Sequence, residues 1–82
     1  MNYTEPQVAD WIGSFGPAYA AYRNTIIDNG VNGVTLIDTV VNRVTGREIQ
    51  DSRTVLATDL NITNDVHINR IVRKVMALYV QQ

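Results

Sequence analysis

The chain has 82 residues, of which 45% are hydrophobic and 18% charged, with a formal net charge of -1 and no cysteine. A single domain of this size buries roughly 60% of the surface its unfolded chain exposes, which leaves little room for a substrate pocket. The charge balance argues against nucleic-acid binding driven by overall charge, and the lack of cysteine removes disulfide frameworks, thiolate zinc sites and cysteine nucleophiles.

Met1-Asn2-Tyr3-Thr4-Glu5-Pro6 has neither the basic start nor the apolar run of a signal peptide, and no apolar segment approaches the length of a membrane span. The expectation is one domain over residues 4–80, a module of a larger protein, intracellular in the cytoplasm or nucleus, with no membrane partner. Thr4 and Gln7 have the spacing of a capping box, and Pro6 suits the first turn of a helix. Val8, Trp11, Ile12 and Phe15 follow at i, i+3, i+4 and i+7, one apolar face that Gly13 and Gly16 bring to an end.

Pro17 opens a second predicted helix carrying Tyr19, Tyr22, Ile26 and, as a further candidate, Ile27, closed by Asn29-Gly30. Val34 to Val41 reads as a short third helix with Leu36, Ile37, Val40 and Val41 inward, although its β-branched content would also suit a strand. Arg43 to Asp51 has mixed charge and no period, which predicts a loop turning at Thr45-Gly46, with a small hairpin as the alternative. Ser52 is the predicted cap of a fourth helix through Val55, Leu56, Ala57 and Leu60.

Thr63 or Asn64 then caps a long fifth helix, on which Ile68, Ile71, Val72, Val75 and Tyr79 make one apolar stripe. Asp65 suits the positive end of its dipole. The fold class is therefore all-α, a compact five-helix bundle with a long C-terminal helix.

Machinery for catalysis is not visible. The carboxylates at positions 5, 10, 28, 38, 48, 51, 59 and 65 stand singly, Ser14 and Ser52 lack a base at a recognisable spacing, and the glycines form no phosphate-binding fingerprint. His67 is the sole histidine and makes a poor metal ligand alone, so it is expected to pack or cap at the start of the fifth helix. No enzyme activity, cofactor, metal or small-molecule substrate is expected. Arg70, Arg73 and Lys74 differ from the scattered acids because their i, i+3, i+4 spacing groups three cations on one exposed arc.

Val8-Ala9-Asp10-Trp11-Ile12, then Tyr22, Ile26, Val31-Asn32-Gly33 and Leu36-Ile37, then Leu60-Asn61-Ile62 with His67 and Ile71, together resemble the sterile alpha motif (SAM) domain over nearly the whole chain. The chain departs from that pattern at Val66 and Ile68, which flank His67 where the family has Gly and Arg, at Asn61 for Gly, and at an insertion from Asn42 to Ser52 between helices 3 and 4. The resemblance implies a protein interaction module that pairs with another SAM domain, self or different, possible in head-to-tail chains. It places an end-helix surface at Asp65, His67, Arg70, Arg73 and Lys74 and an acidic mid-loop surface at Asp38, Glu48, Asp51 and Asp59. RNA stem-loop binding, known in part of the family, is the alternative and the less favoured one.

Overall fold

The structure, a computed structural model, describes residues 2–81. Among them are five α-helices, α1 (Glu5–Gly13), α2 (Arg23–Asp28), α3 (Gly33–Val40), α4 (Ser52–Leu60) and α5 (Asp65–Gln81), and one 3₁₀ segment, Pro17–Tyr22; no strand is present among the described residues. The all-α class is thus what the chain adopts. α1 packs chiefly on α2 and the 3₁₀ segment, and α5 on α3 and α4.

α1 begins as its sequence dictates. Gln7 N–H donates to Thr4 Oγ1 while Thr4 N–H donates to Gln7 Oε1 at 2.9 Å, the reciprocal pair of a capping box. Val8, Ala9 and Ile12 are buried, but the helix stops at Gly13, so Phe15 lies beyond it, and both Phe15 and Trp11 are half-buried at the margin of the core. The second predicted helix is split: from Pro17 to Tyr22 the chain winds as a 3₁₀ segment, and only Arg23 onward is α-helical. Its buried residues are Tyr19 and Ile26, while Ile27 is exposed.

The α2–α3 and α4–α5 corners use the same device. After α2, Gly30 takes φ 68° and Val31 N–H reaches back to the Ile26 carbonyl at 2.9 Å; after α4, Asn61 takes φ 53° and Ile62 N–H reaches the Ala57 carbonyl at 2.9 Å. In both corners the residue after the left-handed one is buried. An asparagine then opens the next helix: Asn32 Oδ1 accepts from Thr35 N–H at 2.9 Å, and Asn64 Oδ1 accepts from Val66 N–H at 2.9 Å. Of the two candidate caps for α5, then, Asn64 is the one used.

Leu36, Ile37, Val40 and Val41 are all buried, in keeping with the apolar pattern of the third helix. Between α3 and α4 the chain forms a small hairpin-like loop rather than an open one. Val41 and Glu48 make an isolated antiparallel bridge, and Asn42 N–H donates to the Arg47 carbonyl at 2.9 Å. Asn42 Oδ1 accepts from Val44 and Thr45 N–H at the tip, and Gly46 turns the chain at φ 73°.

Ser52 does not cap α4. The N-cap position is Asp51, which makes no side-chain cap bond, and Ser52 is instead fully buried with its hydroxyl donating to Glu48 Oε2 at 3.1 Å. The hairpin folds Glu48 back over the start of α4, so the hydroxyl finds a carboxylate nearer than the helix amides.

On α5, Ile68, Ile71, Val72 and Val75 are buried against Val8, Ile12, Leu36, Ile37, Leu56 and Leu60 in a single core, and Tyr79 is half-buried at its edge. Removing such fully buried aliphatic side chains to alanine costs about 2–5 kcal/mol each, a large part of a small domain's stability. No helix among the described residues is long and apolar enough to cross a membrane.

Candidate protein-binding surface on the last helix

With Ile68, Ile71, Val72 and Val75 turned into the core, the 3.6-residue period turns Val66, Asn69, Arg70 and Arg73 outward, and all four are exposed. Lys74 lies on the flank of this outer face, its Nζ 5.4 Å from the centre of the Phe15 ring. Among the described residues the ion pairs are Arg23 with Asp10, Arg43 with Asp38 and Arg53 with Glu48. Arg47, Arg70, Arg73 and Lys74 have no such partner among them, and the last three stand as neighbours on one surface.

That surface is not flat. Val66, Asn69, Arg70, Arg73 and Lys74 line one shallow depression, and Arg70 and Lys74 also wall a second with Trp11, Ser14 and Phe15. The contribution of Trp11, Ser14 and Phe15 is not foreseen from the sequence, where the two aromatics read as core. The signal that could reveal it is Gly13: a helix ending there leaves Phe15 on the connector and Trp11 in the last turn.

The other members of the expected end-helix surface have different surroundings. Asp65 is exposed in the first turn of α5. His67 is half-buried, shares a 2.5 Å hydrogen bond between its Nδ1 and the Tyr22 hydroxyl, and lies against Tyr19 with ring centres 4.3 Å apart. It therefore faces the 3₁₀ segment rather than the cations. Burial, and secondarily the neighbouring Tyr19, pushes the Tyr22 hydroxyl above its ordinary pKa of 10.0.

Val66 is 64% exposed whereas Ile68 is 6% exposed. Of the two residues flanking His67, one belongs to the outer face and the other to the core.

The four acidic residues of the expected mid-loop surface differ in their partners. Asp38 accepts from Arg43 Nε at 2.6 Å. Glu48 is half-buried between Ser52 and Arg53. Asp51 and Asp59 sit near opposite ends of α4, about 12 Å apart along its axis at 1.5 Å per residue.

Arg53 also donates to Asn69 Oδ1, a link from α4 to the outer face of α5. Among the described residues, no group of three or more His, Cys, Asp or Glu side chains could hold a metal ion, and no buried side-chain nitrogen or oxygen lacks a hydrogen-bond partner. The geometry thus combines exposed cations with two shallow depressions on one side of α5. In comparisons with protein-family models, curated proteins and solved structures, nothing matches the chain.

Proposed function

We propose that this chain is a non-catalytic, SAM-like protein interaction module whose basic α5 surface docks on an acidic surface of another SAM-like domain, a second copy or a different chain. The observation that carries this reading is the grouping of Arg70, Arg73 and Lys74 on one face without an ion-pair partner among the described residues, whereas Arg23, Arg43 and Arg53 each have a carboxylate and Arg47, also unpaired, stands apart on the 42–51 hairpin. Uncompensated cations on a rigid helix steer an encounter with an acidic patch and fix its register.

Of the four acidic residues proposed for the opposite surface, Asp38 and Glu48 are already engaged by Arg43 and Arg53. Asp51 and Asp59 have no ion-pair partner among the described residues and are the ones able to answer a second copy's cations. A contact between two different surfaces repeats head to tail unless its rotation closes a ring.

Sedimentation velocity at rising concentration and low salt tests the reading. Salt-sensitive association that disappears in the Arg70→Glu, Arg73→Glu double variant, with helical circular dichroism intact, supports it. A chain that stays monomeric at high concentration in low salt rules out the self-associating form, and unchanged assembly in the double variant removes α5 from it.

RNA stem-loop binding draws on the same exposed cations and is the second reading. Asp65 at the opening of α5 and the net charge of -1 weigh against it, since each phosphate contact needs its own cation. Filter binding to a pool of stem-loops tests it directly.

A further inference from the structure

We propose that the groove between the end of α1 and the flank of α5, lined by Trp11, Ser14, Phe15, Arg70 and Lys74, binds an acidic peptide segment with an aliphatic anchor. The proposal shares Arg70 and Lys74 with the docking surface described above but engages a different face and a different kind of partner. The groove lies between two groups of packed elements, α1 with α2 and the 3₁₀ segment on one side, and α5 with α3 and α4 on the other.

Its floor is aromatic and held in place from beneath. Trp11 meets Phe15 edge to face at 4.9 Å, Phe15 meets Tyr19 in the same way at 5.7 Å, and Tyr19 is buried and packs on His67. Trp11 and Phe15 are both half-buried, and since Lys74 Nζ lies over the Phe15 ring, Trp11 is the ring that an anchor would cover. Rings fixed in advance lose little freedom when an apolar side chain covers them.

The field in the groove is positive. Arg70 and Lys74 wall it without a carboxylate partner, and the nearest acid along α1, Asp10, is engaged by Arg23. The carbonyl end of α1, which would otherwise repel an anion, is tied off: Ser14 N–H donates to the Asp10 carbonyl at 3.0 Å and Ser14 Oγ to the Trp11 carbonyl at 2.5 Å.

A second depression lined by Tyr3, Gln7, Asp10, Trp11 and Ser14 continues the path along α1. The pair of depressions suits an extended segment, with carboxylates at Arg70 and Lys74 and an aliphatic side chain against Trp11. Two converging cations beside half-buried aromatic rings match such a peptide better than a nucleic acid, which needs a longer track of phosphate contacts.

Trp11 is the chain's single tryptophan, so its fluorescence reports on this groove. The probe is an Asp/Glu/Leu peptide without aromatic residues, and the control is the same peptide with lysine for every acid. Saturable change in Trp11 emission with the acidic peptide alone is expected. Lys74→Glu and Arg70→Glu should each weaken binding about tenfold, whereas Arg73→Glu, which lines only the other depression, should change it less than about threefold.

Absence of a saturable signal, equal response to the lysine peptide, or equal damage from Arg73→Glu and Lys74→Glu would overturn the assignment. Tighter binding of a stem-loop RNA at Trp11 would give the groove to nucleic acid instead. Sedimentation of the Arg73→Glu variant separates this inference from the docking reading, because loss of assembly with the peptide response retained distinguishes the two faces.

Discussion

The Tyr22 hydroxyl and His67 Nδ1 are joined at 2.5 Å across 45 positions of sequence, tying the end of the 3₁₀ segment to the first turn of α5. Tyr22→Phe keeps the ring packing but removes that bond. A loss of about 1 kcal/mol is expected, seen as a fall of about 4–8 °C in Tm. The same residue gives a pH dependence. Since its folded-state pKa is raised above 10.0, the folded state holds the phenolic proton more firmly than the unfolded state. The associated stability is complete below that value and is lost as pH rises through the folded-state pKa. Urea midpoints measured into the alkaline range should therefore converge for the native chain and Tyr22→Phe above it.

Two glycine-to-alanine substitutions should act in opposite directions although neither added methyl meets an atom within 4 Å. Gly30 sits at φ 68°, so Gly30→Ala forces a left-handed alanine and should cost about 1 kcal/mol. Gly13 ends α1 without positive φ, and Gly13→Ala should add about 0.5 kcal/mol or more by favouring the helix. Urea denaturation of the two variants side by side checks the sign.

Ser52→Ala should loosen the 42–51 hairpin more than α4. The buried hydroxyl holds Glu48 Oε2, while Asp51 contributes no side-chain cap that could be lost. A cost of about 1 kcal/mol is expected. Faster hydrogen exchange at Asn42 and Ile49, whose amides bond to Arg47 and Val40, would locate it.

If a second copy docks on the acidic side of this chain, Asp51→Lys and Asp59→Lys should weaken association more than Asp38→Lys. Asp38 is already screened by Arg43 at 2.6 Å and has less field to offer. Sedimentation of the three variants at one low salt concentration ranks them, and a dominant effect of Asp38 would require a different acidic surface.

Residues 65–79 show why some of this molecule is legible in the sequence and some is not. Ile68, Ile71, Val72 and Val75 repeat at the helical period and are buried, because a sustained period leaves one face for the core. The Thr4–Gln7 box and the outward arc of Arg70, Arg73 and Lys74 depend on the same short-range spacing. Ser52 is misread because the caps of short helices compete with tertiary partners, and the hairpin brings Glu48 within reach of its hydroxyl.

The 3₁₀ winding of Pro17–Tyr22 has no periodic signature over so few residues. The groove at Trp11 and Phe15 depends on how α1 lies beside α5, which spacing within either helix does not specify. The pairing of Asp38 with Arg43 and of Glu48 with Arg53 is likewise a matter of packing.

The matched corners after α2 and α4 have a mechanical consequence. Asn29, next to the left-handed Gly30, donates its side-chain amide to the Asp59 carbonyl at 2.5 Å, close to the left-handed Asn61. The two bends are thereby linked by a hydrogen bond, so opening either one breaks a contact of the other. They should open as one cooperative unit, with the Val31 and Ile62 amides exchanging at a common free energy.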